Sequence, residues 1–445
     1  MRHVAIVGGG FSGAMLAVHL LRSGARVTLF ERHRQPGRGL AYGAADPIHL
    51  LNVRAGNMSA YPDEPGHFAA WLEARGIANA AAQFAPRLLF GTYIEEQFAA
   101  AVAAAPDHFT HLLESVEDLE TSPTGATLVT ATGERIEADA AVLALGNLPP
   151  PAPPGIDPAA LPTGTYWGDP WAPGATDGLG EADAVLLIGT GLTMVDLALL
   201  LEERGFAGRI VALSRRGLVP LAHCDEPPAP DKRIHAPAAL DSRLVREVRT
   251  RASRIAWRHA VDELRPFSQS LWHTATTAER RRFIRHLRPW WDVHRHRIAP
   301  QVAERIHALI GAGRLQTVAG KLAGSEAREG GVTVRWRPRG AADVEEARFT
   351  RIINCTGPEG DLPRSPEPLL RNLLTRGAVR PGPIGLGVDA DDDARVRAAD
   401  GTLNPRLYAV GPLTRGLWWE IVAVPDIRVQ VAEVAAALAS PEEQA

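Results

Sequence analysis

The chain has 445 residues, room for about three domain-sized units at roughly 150 residues each. With 45% hydrophobic and 22% charged residues and a net charge of −3, it reads as an ordinary globular protein without a field for nucleic acid or an anionic membrane. Its two cysteines, Cys224 and Cys355, lie far apart, which excludes a disulfide scaffold, a zinc knuckle and a CxxC dithiol centre; neither lysine, Lys232 or Lys321, closes a P-loop.

Val4–Val7 reads as an apolar strand entered at once, without a signal-peptide pattern, and a cytoplasmic location is expected. It runs into Gly8-Gly9-Gly10-Phe11-Ser12-Gly13 and an apolar helix, Ala14–Leu21. Gly8 permits the tight turn, Gly10 lets the backbone approach a pyrophosphate, and Gly13 lets helix and strand pack closely. The helix N-terminus adds N–H donors and about half a positive charge. The next strand, Arg26–Phe30, ends at Glu31, 18 residues beyond Gly13. A carboxylate there accepts ribose hydroxyls and repels a 2′-phosphate, which selects FAD or NAD. Phe11, Ser12 and Arg32 complete this expected site.

Short strands at Phe109–Val116, Ala126–Ala131 and Arg135–Glu137 read as a small β-meander, and the buried-looking run Asp139–Leu145 returns to the first sheet, with Gly146 at its end as a further cofactor contact. Residues 149–173 hold nine prolines and read as a stiff crossover. A second strand, turn and helix follow: Val185–Ile188, Gly189-Thr190-Gly191-Leu192-Thr193-Met194, and an apolar run to Leu201. Met194 replaces the third glycine, so this helix should sit slightly further from its strand. The strand Arg209–Leu213 ends in Ser214-Arg215-Arg216, donors suited to a 2′-phosphate, so NADPH is expected, with NADH as the alternative.

Residues 241–300 are helical in pattern and carry a net charge of +8. Two readings stand for this insert: an anion site in which Trp290 and Trp291 stack on a planar ring beside Arg295, or packing helices with core tryptophans. The HxH pair His294 and His296 has no supporting ligand cluster, and no metal is expected. Strands follow at Gly331–Trp336 and Arg351–Cys355, with Cys355 a small buried residue. The acidic residues Asp389, Asp391, Asp392 and Asp393 read as a solvated loop. A strand at Leu407–Val410 and a helix at Pro425–Leu438 end the chain.

Gly8–Gly13, Gly39–Tyr42, His49–Ala60, Gly189–Asp196, Trp290–Arg297 and Trp419–Arg428 together resemble the FAD/NAD(P)-binding family that includes FAD-dependent urate hydroxylase and aspartate N-monooxygenase. The resemblance implies a flavoprotein that uses NAD(P)H and molecular oxygen, with Gly8, Gly10, Gly13 and Glu31 at FAD and Gly189 and Gly191 at NAD(P)H. Many such proteins end the last FAD-domain strand in Gly-Asp, whereas here Val410-Gly411-Pro412 stands in that place. Gly411 is kept as a cofactor contact. The helix from Pro425 offers its positive end to the anionic reduced ring.

The expected architecture is α/β, with two Rossmann-like dinucleotide-binding domains of parallel sheets, a β-meander and a helical insert. The FAD domain takes residues 1–165 and 346–445, and the NAD(P)H domain takes 166–345 with the insert at about 225–312. The implied reaction is hydroxylation of a small anionic substrate through a flavin C4a-hydroperoxide, with urate as first choice because of the tryptophans. An aspartate-like amine and NAD(P)H oxidation without oxygenation are the alternatives. Asn52 contributes to the cofactor site, and Arg54, Trp290, Trp291 and Arg295 are the substrate candidates. No catalytic acid, base or oligomeric state can be named from the sequence.

Overall fold

Alternation along the first strand, His3–Val7, sets the layering: Val4 and Ile6 face one core while Ala5 and Val7 face another. The computed structural model describes residues 1–224 and 236–440. Residues 225–235, where the expected insert begins and where Lys232 lies, fall outside them. The first sheet runs, in spatial order, Arg395–Arg397, Leu403–Ala409, Ala140–Leu143, His3–Val7, Arg26–Phe30 and Phe109–Leu112, parallel except at its Arg395–Arg397 edge. Helices Phe11–Arg22, Arg87–Ala104 and Val424–Ala439 cover one face through Met15, Val18, Phe90 and Val431. The other face packs on the antiparallel meander Val116–Ser122, Gly125–Thr130 and Arg135–Ala138.

One strand of the expected meander is misplaced. Phe109–Leu112 pairs parallel with Arg26–Phe30 as the sheet edge, and the meander begins only at Val116. Period-2 patterning reports a half-buried strand but not its partner.

The second sheet repeats the plan. Val185 and Leu187 of Ala184–Ile188 face the helices Leu192–Glu203 and Pro300–Gly311, while Leu186 and Ile188 face Val332, Val334 and Trp336. Its order is Glu345–Phe349, Gly331–Pro338, Leu315–Arg328, Arg209–Ser214, Ala184–Ile188, Arg351–Asn354 and Tyr166–Trp167. Arg351–Asn354 pairs with Ala184–Ile188, so this sheet extends past the expected boundary at residue 346. The proline-rich crossover leads into the edge strand Tyr166–Trp167.

The insert comprises the helices Ser242–Ile255, Trp257–Asp262, Ser268–Thr274, Thr277–His286 and Arg288–Arg295. Thr276 and Glu279 form a reciprocal capping box that starts the fourth. Pro300–Gly311, placed by sequence inside the insert, is instead the crossover helix of the second sheet, because Val302, Ile306 and Leu309 join that core. The insert docks on the C-terminal segment: Trp272 packs 4.6 Å from Trp419, and Arg265 pairs with Asp426. The acidic loop is not merely solvated, since Arg395 bridges Asp391 and Asp393 at 2.8 and 2.9 Å and Arg380 holds Asp389 at 2.6 Å. No helix among the described residues is long and apolar enough to cross a membrane.

Candidate functional site

The first glycine turn is closed by sterics. Gly8 has φ +104°, and a Cβ there would lie 2.4 Å from the Ala144 carbonyl oxygen. A Cβ on Gly13 would lie 1.9 Å from the Gly8 carbonyl oxygen. The helix Phe11–Arg22 therefore starts hard against its strand, and no side chain caps its N-terminus. Glu31 reaches back to this turn, accepting from Gly9 N–H at 2.6 Å and from His33 N–H at 3.0 Å. Such a cradle fits a diphosphate with a ribose beside Glu31.

Not every expected contact turns toward that cradle. Phe11 is buried in the helix-side core, its ring 6.1 Å from Phe90, and Arg32 points away to Glu367 at 2.5 Å. Gly146 adopts φ +67° at the lip of a small cavity of about 190 Å³. Gly411 has φ +71°, and a Cβ there would meet Ser12 Oγ at 2.4 Å, so the last strand ends directly on the first helix. Beside Gly411, Gln430 supplies a buried polar group: its Oε1 accepts from Gly411 N–H at 2.7 Å, and its amide donates to Thr414 at 3.1 Å. Gln430 carried no sequence signal, because its partner is 19 residues away.

The second turn shares the backbone and differs in its surroundings. Gly189 has φ +116°, and a Cβ there would lie 2.2 Å from the Cys355 carbonyl oxygen. A Cβ on Gly191 would meet nothing within 4 Å. Thr190 Oγ1 and Ser214 Oγ are 2.8 Å apart, and Ser214 accepts from Gly217 N–H at 3.0 Å. Gly189, Gly191, Arg215 and Arg216 line one cleft of about 850 Å³. Burial pushes the Cys355 thiol far above its usual range, consistent with a packing role.

Of the residues named for substrate, none lines this cleft. Trp290 is 41% exposed, and Trp291 packs inside the insert near Phe283. Arg295 is turned to Glu420 at 3.4 Å. Arg54 donates to the Ala82 carbonyl and lies over Phe84, while the Asn52 carbonyl accepts from His223 Nε2 at 3.0 Å. The insert nevertheless reaches the cleft through Arg288, Asp292 and His296, one turn apart along Arg288–Arg295 and its C-cap, and the chain after Gly411–Thr414 adds Arg415. Arg288 and Arg415 also line the smaller cavity. Burial lowers His296 to about 4 and Arg415 to about 10, and raises the Asp292 carboxyl despite the nearby Arg288 and Arg415. His294 packs edge to face with Trp257 and donates to the Trp290 carbonyl, so the HxH pair does not converge on one point.

A buried ion pair joins the two halves. Arg87 donates to both carboxylate oxygens of Asp196, at 2.6 and 3.0 Å, across the domain boundary. His49 donates from Nε2 to the Asp196 carbonyl at 3.1 Å, with Nδ1 accepting from Asp46 N–H, and its burial lowers its pKa. The segment His49–Ala60 thus serves partly as a clamp between domains.

Two Rossmann-type glycine turns, each at the end of a strand in its own sheet and the second lining the large cleft, define a protein of paired dinucleotide-binding domains. Residues 5–148 match the FAD-NAD(P)-binding family model. No curated protein matches the sequence. Over whole chains the fold is that of the reduced form of ornithine hydroxylase from Pseudomonas aeruginosa, with TM-score 0.67, 15% identity and 99% of each chain covered. It is equally that of L-lysine 6-monooxygenase from Pseudomonas syringae, with TM-score 0.67, 16% identity and coverage of 98% of this chain and 99% of that one. Thioredoxin reductase of Lactococcus lactis is similar at TM-score 0.52 and 13% identity, with 99% of each chain covered.

Proposed function

We propose that the chain is an FAD-dependent, NADPH-driven monooxygenase that hydroxylates the amino group of an amino acid. The observation that carries this reading is the pair of unlike glycine turns on the two sheets of one chain, in a fold shared end to end with an ornithine hydroxylase and a lysine 6-monooxygenase. FAD, held by Gly8, Gly10, Gly13 and Glu31 with Ser12, Gly411 and Gln430 alongside, supplies hydride acceptance and oxygen activation. Gly189 and Gly191 receive the NADPH diphosphate, and Arg215 and Arg216 receive its 2′-phosphate. The cleft walls orient the substrate and limit water.

Urate loses its support, because the tryptophans that favoured it do not reach the cleft. Disulfide reduction is disfavoured by Cys355, buried and far from any CxxC partner. The test is NADPH oxidation by the purified yellow protein against a panel of amino acids and urate, with product mass read under labelled oxygen. Incorporation of one oxygen into an amino acid supports the reading. NADPH oxidation with no labelled organic product would favour an oxidoreductase without oxygenation.

A further inference from the structure

Asp292 is a half-buried carboxylate on the wall of a predominantly cationic cleft. Its Oδ1 is shielded from solvent and has no hydrogen-bond partner, while Oδ2 lies 3.4 Å from Arg288 Nε. Across from it, Arg415 lies over the Trp419 ring at 4.7 Å, and its Nε is likewise buried and unbonded. His296 Nδ1 stands 3.7 Å from Asp292 Oδ1. Behind this wall Glu420 faces Arg295 at 3.4 Å and Arg265 at 3.7 Å. Asp292, Arg288 and Arg415 thus form a group of net charge +1 that opens on the cleft shared with Gly189 and Gly191. Burying such groups without partners is costly, and a ligand that brings the complementary charges relieves the cost.

Resting on the amine-hydroxylation reading above, we propose that Asp292 binds the substrate ammonium and takes its proton, while Arg288 and Arg415 hold the substrate carboxylate. An ammonium has no free electron pair and cannot attack an electrophilic oxygen. Transfer breaks one N–H bond, forms an O–H bond on the Asp292 carboxylate and leaves the pair on nitrogen. Desolvation makes Asp292 a stronger base than an ordinary carboxylate. His296, kept neutral by burial, adds no competing positive charge beside Asp292. An amino acid satisfies all three side chains, whereas a dicarboxylate without an amine leaves Asp292 unpaired.

The experiment compares flavin-loaded wild type with Asp292→Asn and Asp292→Glu, using L-aspartate and L-ornithine as substrates and succinate as the amine-free probe. Hydroxylated product per NADPH consumed is measured from pH 6 to 10. The Asn variant is expected to lose at least about 10²-fold in kcat/KM for the amine near neutrality. It should recover as pH rises and the free amine becomes available, while the Glu variant restores part of the neutral activity. Succinate should compete at least about 10-fold more weakly than the amino acid. A wild-type-like Asn variant, or a loss that neither high pH nor Glu relieves, overturns the assignment of Asp292 alone. Wild type that hydroxylates no amine overturns both this assignment and the function on which it rests.

Discussion

The two glycine turns share one backbone plan and differ in what surrounds them. In the first, a Cβ on Gly13 would overlap the Gly8 carbonyl, and a Cβ on Gly39 would lie 3.0 Å from the Gly10 Cα. In the second, Met194 occupies the position equivalent to Gly13, and the Gly191 Cβ position is open. A tight cradle suits a nucleotide that stays, and an open one suits a nucleotide that visits and leaves. The first glycine is therefore obligatory at both sites, and the third at the first site alone.

Substitution at the turns is the strongest way to break this contrast. Gly13→Ala is expected to cost at least about 4 kcal/mol and to strip the flavin, read by urea unfolding and flavin absorbance per chain. Gly191→Ala should keep stability within about 1 kcal/mol and raise the KM for NADPH several-fold. Equal losses at both positions would erase the distinction.

The link between the halves comes next. Arg87→Ala leaves the Asp196 carboxylate buried and unpaired, which should cost about 3 to 4 kcal/mol. The double variant with Asp196→Ala should recover part of that in a double-mutant cycle. Additive losses would show that the pair does not couple the domains.

On the open side, the folded His296 pKa of about 4 lies below its ordinary value of 6.5. Its contribution is complete above about pH 6.5 and is lost as pH falls toward 4, on the order of 3 kcal/mol in all. Unfolding midpoints should fall over that window in wild type and more shallowly in His296→Gln. A smaller effect is expected at Arg215, where Arg215→Ala should lower the preference for NADPH over NADH by about 10-fold, roughly 1.4 kcal/mol. Steady-state kinetics with both nucleotides checks it.

The sequence was most readable where chemistry is local. Gly8 to Gly13 with Glu31, and Gly189 with Ser214 to Arg216, lie within single strand–turn–helix units, so spacing alone points to their roles. The strands and helices around them fall close to the expected spans for the same reason. What escaped depends on long-range packing. Phe109–Leu112 joins a sheet that periodicity cannot name, and Pro300–Gly311 belongs to the crossover because its apolar face meets Leu192–Glu203. Gln430, Arg87 and Arg415 find their places only through partners far along the chain. The tryptophans misled because side-chain chemistry suggested stacking, while the helix phase sends Asp292 and His296 to the cleft and Trp291 into the insert core.

The central claim is that a tightly held flavin in the first cradle is reduced by a nucleotide visiting the second. Anaerobic stopped-flow mixing of the purified protein with NADPH tests it most directly. The expected result is a yellow protein whose visible flavin absorbance bleaches in a saturable, NADPH-dependent phase, slowed at low NADPH by Arg215→Ala. A colourless chain that takes up no FAD, or a bound flavin that NADPH and NADH leave oxidised, would contradict it.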